Sequence, residues 1–409
     1  MKPPGQAAIL CGGLGTRLRP ITDTLPKPLA PVNNRPFLSY LLEQLYDNGI
    51  RECVLMTGYL GDKIQDYYGD GSRFHLHITY AHGPVEWDTG RRLWEAKDLL
   101  KEYFLLLYSD NFAQFDLKKM TTFYSQKNKL LSFLVTAKKN GNIRIGNDGD
   151  VSCYDKSRVA ENLDYVELGY MLVCKQVFKY YSESNVSFSN IISLLVADNQ
   201  VAGLSLYDNY YSISDPERLK IMEAYLTDKK IILLDRDGVI NKKASKATYI
   251  AQWKSFEFIP ENIEGLRQIA KAGYQFIVIS NQAGIERGML SWEIVDHINN
   301  NMRQALKSQG ISVIAVYTCP HHWDTGCFCR KPNPGLFIQA AKEYLFRLDK
   351  TVYIGDDIRD CQAAYNAGCK SVYLGYPSDL ENLPEKEKPI AIFDNVNQAV
   401  PTIHSTLGS

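Results

Sequence analysis

IILLDRDGVIN, Ile231 to Asn241, is the stretch from which the fold can be read. Four apolar residues run directly into Asp235, and Asp237 and Gly238 follow. An uninterrupted apolar run of this kind predicts a parallel strand buried on both faces. Asp-x-Asp-Gly then places two carboxylates at the strand's carboxyl end, where open α/β sheets bind ligands. A carboxylate buried there is costly unless a cation pairs with it. Taken alone, the aspartate pair fits a surface turn better than a site, so the flanking sequence decides.

Downstream, after a variable stretch, Pro260-Glu261 opens a helix reaching Ala272, and Gln275 to Ile279 reads as a strand ending in Ser280-Asn281-Gln282. Ser291 can cap the next helix. Ala315 to Thr318 is a strand and Pro334 to Tyr344 a helix. Thr351 to Ile354 is a strand running into Gly355-Asp356-Asp357, and Ser371 to Leu374 is the last clear strand. The tail beyond Gly375 reads as a solvated closing segment. Alternating strands and helices predict a doubly wound parallel sheet. Reactive residues recur at its strand ends: Asp235 and Asp237, Ser280, Lys331 in a following loop, then Asp356 and Asp357. Between them, Cys319, His321, His322, Cys327 and Cys329 offer three thiolates and an imidazole, a set suited to a structural tetrahedral Zn²⁺.

The 409 residues preceding and including this pattern are too many for one domain of ordinary size, which predicts two. The boundary is expected between 1–228 and 229–409. With 45% hydrophobic and 22% charged residues there is material for two cores. Lys+Arg equals Asp+Glu, 46 each, which argues against a nucleic-acid or membrane-surface partner. MKPPGQAAILCGG does not read as a signal peptide, and no apolar run reaches spanning length, so a cytoplasmic protein is expected. The cysteines number nine, an odd count that disfavours a disulfide framework; Cys11, Cys53, Cys153 and Cys174 read as free core thiols. No residue pattern specifies an oligomeric state.

In the first domain Ala7 to Leu10 is a short buried strand that leads into a loop with Gly12, Gly13 and Gly15. Glycines there let backbone N–H groups approach phosphate oxygens. Arg17 adds a forked cation, and flanking prolines keep Lys27 extended as a point charge. Pro36 to Asn48 predicts a helix with Pro36 in its first turn. Cys53 to Thr57, Ile78 to Ala81, Phe104 to Tyr108 and Leu130 to Thr136 read as strands of a mostly parallel sheet with helices on both faces.

GGLGTRLRPITDTLPKPL, Gly12 to Leu29, resembles the signature of the sugar-1-phosphate nucleotidyltransferases, which have a glycosyltransferase-A-like α/β fold. The likeness extends to Asp88-Thr89-Gly90 near the nucleobase, Tyr108-Ser109-Asp110, Asp155-Lys156 and Leu168-Gly169-Tyr170. It implies that Gly12, Gly13, Gly15, Thr16 and Arg17 cradle a nucleoside triphosphate and that Lys27 stabilises the reacting phosphate. Asp110 would hold Mg²⁺, Lys156 the sugar phosphate, and Glu167 and Gly169 the sugar. Such chemistry is charge neutralisation and alignment. There are departures. Ser212 stands where the family has a second metal-binding Asp, and a hydroxyl is a poor substitute. Arg91 and Arg92 replace small residues of the nucleobase loop, and Glu167 replaces a common Asn. Either the metal site is rebuilt, with Asp215 a candidate, or transfer has been lost.

DRDGVIN, SNQAGIERG, CPHH with CFCRKPNPG, and GDDIRD resemble the haloacid dehalogenase-like phosphatases, a Rossmannoid fold, and within them the D-glycero-D-manno-heptose 1,7-bisphosphate 7-phosphatases. The resemblance implies Asp235 as nucleophile, Asp237 as general acid and then base, and Ser280 and Lys331 as holders of the phosphoryl oxygens. Mg²⁺ would be bound by Asp235, Asp356 and the carbonyl of Asp237. Asp357 would assist or only orient Lys331. Its Cys-x-His pattern implies Cys319, His321, Cys327 and Cys329 as the Zn²⁺ ligands, with His322 outside the set. No interval has room for a large cap, so substrate selection falls to Gln282 to Arg287, with Asn281, and to the zinc loop with Arg330.

Joined, the two halves imply a bifunctional enzyme of nucleotide-sugar synthesis acting on small sugar phosphates and a nucleoside triphosphate, by analogy GTP. Two other readings stand beside it. One is an active phosphatase with a degenerate, nucleotide-binding or scaffolding first domain. The other is a histidinol-phosphate phosphatase, a family that shares much of the second pattern.

Overall fold

The computed structural model describes all residues except 182–183, 207–209, 246–247 and 409. The chain divides into two compact units, Met1–Leu226 and Thr227–Ser409.

The first unit is built on β1 (Gln6–Cys11), β2 (Glu52–Thr57), β3 (His77–His82), β4 (Tyr103–Tyr108), β5 (Leu131–Ala137), β6 (Ile143–Ile145), β7 (Val151–Tyr154), β8 (Tyr165–Cys174) and β9 (Val201–Ser205). The main order is β9-β5-β8-β4-β1-β2-β3, with the β6–β7 hairpin joined to the start of β8. All neighbours along this path are parallel except β8, which runs against both β4 and β5. Every residue of β1 is buried because the strand lies mid-sheet with helices on both faces. Its alternating side chains split between two cores, Ala7, Ile9 and Cys11 on one face and Ala8 and Leu10 on the other. Pro36 does not enter the first turn of its helix. It caps Phe37–Asp47 from an extended conformation, and it pairs with Pro31 in a two-stranded ribbon. Cys11 and Cys53 are buried free thiols, whereas Cys153 and Cys174 are only half-buried.

The second unit carries β10 (Ile231–Leu234), β11 (Gln275–Asn281), β12 (Val313–Cys319), β13 (Val352–Gly355), β14 (Lys370–Leu374) and β15 (Ala391–Phe393). The sheet is parallel throughout, in the order β12-β11-β10-β13-β14-β15. Strand order reverses beside β10, so its carboxyl end faces the crevice that such a switch opens. Ile232 and Leu234 enter one core, Ile231 and Leu233 the other.

The tail is not a solvated segment. It adds β15 to the sheet edge and then the helix Val396–Leu407, whose Val396, Ala399, Val400 and Ile403 are buried. Their i, i+3, i+4, i+7 spacing makes one apolar face, which packs on the helix Pro260–Lys271. Gly265 permits the approach, since a Cβ there would lie 2.5 Å from the Asn397 nitrogen. The buried Asn262 fastens the contact: it accepts from the Val396 N–H (2.8 Å) and donates to the Val239 carbonyl (2.8 Å). Among the described residues no helix is long and apolar enough to cross a membrane.

Candidate active sites

In the second unit Asp235 leaves the end of β10 with its N–H bonded to the Ile354 carbonyl of β13 (2.9 Å). Lys331 reaches across to it: Nζ lies 2.9 Å from Asp235 Oδ1 and 2.7 Å from Asp360 Oδ1, and it bonds the Tyr353 hydroxyl at 2.7 Å. The Asn281 side-chain amide donates to the Lys331 carbonyl and accepts from the Lys331 N–H, both at 3.2 Å, so it positions the lysine. Asp360 is the anchor of this group. Its Oδ1 accepts from Lys331 and Tyr353, and its Oδ2 from the N–H groups of Asp356 (3.0 Å) and Asp357 (3.1 Å). The residue that orients Lys331 is therefore Asp360 and not Asp357, which caps the helix Ile358–Ala367 and takes two bonds from Arg359.

Asp237 is held separately. Gln282 Nε2 donates to its Oδ2 (2.7 Å) and to Ser280 Oγ (2.9 Å), Asn241 donates at 2.9 Å, and the buried Arg236 donates at 3.0 and 3.2 Å. Arg236 is itself anchored on Asn299 (3.0 Å). Burial pushes the Asp237 carboxyl up, but Arg236, Asn241 and Gln282 outweigh it and hold the group below the usual carboxylate range.

Asp235 behaves in the opposite way. Burial pushes it up to about 7 despite Lys331, with Asp360 and Asp356 adding to the rise. Asp356 is raised to about 6 by burial, against the pull of Lys243 at 2.8 Å. Carboxylate oxygens of Asp235, Asp356 and Asp360 lie within 4.8 Å of one another, so the cluster is short of positive charge. Asp356 Oδ1 is buried without a hydrogen-bond partner. A divalent cation fits that orphaned oxygen together with Asp235, whereas both Asp360 oxygens are already occupied. Gly238, at φ +95°, is obligatory beside it, because a Cβ would sit 1.7 Å from Asp356 Oδ2.

A cavity of about 280 Å³ opens over these groups and is lined also by Lys243, Ser245, Thr248, Tyr249 and Arg359. Arg287 and Arg330 lie outside its lining: Arg287 reaches the Tyr249 hydroxyl (3.3 Å) and Arg330 the His321 carbonyl (3.1 Å). Sequence reasoning missed Arg236, Asp360, Tyr353, Lys243 and Arg359. Only Asp360, four residues after Asp356, carried a positional signal. Lys243 lay in the stretch between motifs, and Tyr353 looked like a core aromatic.

Cys319, His321, Cys327 and Cys329 converge, with their ligand atoms within 4.8 Å. Cys329 Sγ lies 3.3 Å from Cys319 Sγ, 3.4 Å from Cys327 Sγ and 3.1 Å from His321 Nδ1. A tetrahedral Zn²⁺ with Zn–S near 2.3 Å requires ligand separations of about 3.8 Å, so small outward shifts admit the ion. His322 turns away to Asp324.

In the first unit a cavity of about 350 Å³ is lined by Gly13, Gly15, Thr16, Arg17, Lys27, Asp110 and Ser214, among others. Gly15 adopts φ +63°, and its carbonyl is fixed by Thr22 Oγ1 at 2.9 Å. Lys27 Nζ lies 2.6 Å from Asp110 Oδ2. Gly12 is occupied from below. The buried Arg92 donates to the carbonyls of Gly12 (3.3 Å), Thr57 (2.8 Å) and Pro84 (2.6 Å), tying together the carboxyl ends of β1, β2 and β3. Arg92, on the helix Thr89–Glu95, thus braces the start of the Gly-rich loop.

Glu167 Oε2 accepts from the Gly169 N–H (2.8 Å), and Gly169 has φ +77°. Lys156 is exposed on a turn that Asp155 closes by accepting from the N–H groups of Ser157, Val159 and Ala160. It does not line the cavity. Ser212 is buried and its Oγ meets Ser214 Oγ at 3.1 Å; Ser214 also bonds Asp215 and Arg218, each at 3.1 Å. Asp215 is turned to Arg218 and is absent from the cavity lining. Asp110 alone fits a Mg²⁺ carried in by the triphosphate, since that ion is commonly held by one or two carboxylates plus phosphate oxygens.

The nucleotidyl transferase family matches residues 6–204, and the polynucleotide kinase 3 phosphatase family matches residues 230–368. The D-glycero-alpha-D-manno-heptose-1,7-bisphosphate 7-phosphatase of Photorhabdus laumondii is 36% identical over 159 residues, 36% of this chain and 85% of that protein. The beta-named 7-phosphatase of Pseudomonas aeruginosa is 35% identical over 146 residues, 36% of this chain and 81% of its own. A Bacillus anthracis crystal structure described as a putative glucose-1-phosphate thymidylyltransferase shares the first unit's fold at 19% identity and a TM-score of 0.50, covering 55% of this chain and 95% of that one. Through its C-terminal domain the chain belongs to the heptose-1,7-bisphosphate 7-phosphatase family, and a nucleotidyl transferase domain precedes that domain in the same chain.

Proposed function

We infer that the chain performs two consecutive steps toward a nucleotide-activated heptose. The C-terminal domain removes the 7-phosphate of D-glycero-D-manno-heptose 1,7-bisphosphate. The N-terminal domain then transfers a nucleotidyl group, GMP from GTP, to the heptose 1-phosphate. What carries this reading is the presence in one chain of the Asp235 site and a Gly-rich loop with Lys27 and Asp110. A transferase of this type consumes a sugar 1-phosphate, so a phosphatase joined to it has to spare that phosphate and take the distal one. The relatives' names carry the same regiochemistry.

In the first half-reaction an Asp235 oxygen attacks phosphorus, the bond to the sugar oxygen breaks, and Asp237 gives that oxygen its proton. Water then attacks the aspartyl-phosphate, Asp237 takes the water's proton, and inorganic phosphate leaves. Lys331 and Ser280 face the transferring oxygens. The donors on Asp237 favour its carboxylate, the form the second step needs; an incoming phosphate dianion repels that carboxylate and favours its protonation for the first. Asp235, Asp356 and the Asp237 carbonyl would hold Mg²⁺, which would neutralise carboxylates and phosphate together. In the transferase site a sugar-phosphate oxygen attacks the α-phosphorus and pyrophosphate leaves, with Arg17 and Lys27 neutralising the triphosphate. Zn²⁺ in the Cys319–Cys329 loop would fix Arg330 and Lys331, which directly follow its last ligand.

Ser212 at the carboxylate position, bonded to Ser214, which in turn bonds Arg218, favours a second reading, an active phosphatase whose first domain binds nucleotide without transfer. One incubation separates the two. Heptose 1,7-bisphosphate, Mg²⁺ and each nucleoside triphosphate are supplied in turn, and products are read by mass spectrometry. The bifunctional reading expects inorganic phosphate, pyrophosphate and a GDP-heptose. Phosphate release with no nucleotide-sugar from any triphosphate supports the second reading, and release of the 1-phosphate overturns the pathway logic.

A further inference from the structure

The cavity over Asp235 holds more cationic side chains than phosphoryl transfer uses. Among the described residues they are Arg236, Lys243, Lys331 and Arg359. Three are committed. Arg236 is buried between Asp237 and Asn299. Lys331 is buried and clamped by Asp235, Asp360 and Tyr353. Arg359 closes a two-pronged bond with Asp357, at 2.8 and 2.7 Å. Lys243 differs from them. Its one ion pair is with Asp356 Oδ2 at 2.8 Å, and its side chain is 49% exposed where the partner's is 14%.

That pairing is conditional. Asp356 is the carboxylate whose other oxygen is buried and unpaired, and a divalent cation fits there. Once the cation neutralises Asp356, the attraction holding the ammonium weakens and the two positive charges repel. Lys243 is then, among the described residues, the cation of the cavity without a committed anion, on a flexible, half-exposed four-carbon stem. Ser245, Thr248 and Tyr249, which line the same cavity, supply hydroxyls suited to a phosphate or sugar.

We propose that Lys243 has two positions, closing Asp356 in the metal-free protein and reading the second phosphate of a sugar bisphosphate once the metal is bound. The proposal rests on the bisphosphate reading above and names the residue that distinguishes such a substrate from a monophosphate.

The test compares wild type with Lys243→Met in the full chain. First, Mg²⁺ and Mn²⁺ are titrated into chelator-stripped protein by calorimetry. Losing the competing ammonium is expected to tighten metal binding several-fold; unchanged or weaker binding overturns the first position. Second, KM is measured for heptose 1,7-bisphosphate and for heptose 7-phosphate. The substitution is expected to raise the KM for the bisphosphate at least tenfold more than for the monophosphate, while Lys243→Arg recovers most of the difference. An equal effect on both substrates overturns the second position. If the wild type ignores heptose bisphosphate altogether, the functional reading fails, and the calorimetric arm still decides whether Lys243 guards Asp356.

Discussion

Glu167 shows how far one side chain can depart from its type. Burial of its carboxyl pushes it up to about 7 from an ordinary 4.5; the Gly169 N–H pulls it down, and Asp110 pushes it further up. The folded protein therefore keeps a proton on Glu167 over a pH range where the unfolded chain has released it. Because the native state binds more protons there, stability falls as pH rises from about 4.5 to 7 and the whole penalty is present above 7. Glu167→Gln keeps an acceptor for Gly169 and removes the titration. In chelator, so that no metal sits on Asp110, the variant's urea midpoint is expected to exceed the wild type's at about pH 8, the gap closing at acid pH. A gap independent of pH would show that packing, not charge, separates the two. Arg92 is the complementary case: a buried cation spends its donors on carbonyls, which a count of charged residues in a loop does not reveal.

At the scale of elements, the closing helix Val396–Leu407 is part of the second unit's core. Ile403 is fully buried on the helix Pro260–Lys271, and Asn262 links that contact to Val239, just beyond Asp237. Ile403→Ala removes buried apolar surface and leaves a cavity, a change that costs about 2–5 kcal/mol. The urea midpoint for loss of phosphatase activity is expected to fall, with nucleotidyl transfer unaffected. No shift would mean that the helix is peripheral. This element shows what the sequence conceals. β10 was legible because IILL is continuous and ends on Asp235, and Ser291 was legible as a cap because capping is local. The closing helix follows a Glu/Lys-rich run, and its strand β15 is short, half-buried and stabilised by pairing with β14 instead of by its own pattern. The site divides in the same way. Asp235, Asp237, Ser280, Lys331 and Asp356 stand at strand ends or in short motifs. Lys243, Arg359 and Tyr353 acquire their places only when the sheet brings β10 and β13 side by side.

The whole molecule consists of two units that each possess a sheet packed on both faces and a cavity of their own at strand carboxyl ends. Among the described residues, the lining of each cavity comes from its own unit. Chemistry should then be separable by substitution. Asp235→Asn preserves shape and removes the nucleophile, so phosphate release from heptose 1,7-bisphosphate is expected to fall by roughly 10⁴-fold or more. Transfer from GTP to supplied heptose 1-phosphate should continue at the wild-type rate. Lys27→Ala should do the reverse, lowering nucleotidyl transfer by about 10²–10³-fold through loss of one charge aimed at the reacting phosphate. It should leave phosphate release intact. Coupled assays of both variants, alone and mixed, complete the argument. Each alone should stall at one step, and the mixture should restore nucleotide-sugar from the bisphosphate, because heptose 1-phosphate made by one variant diffuses to the other. If either substitution removes both activities while circular dichroism and melting are unchanged, the two sites depend on each other and the independent-unit account is wrong.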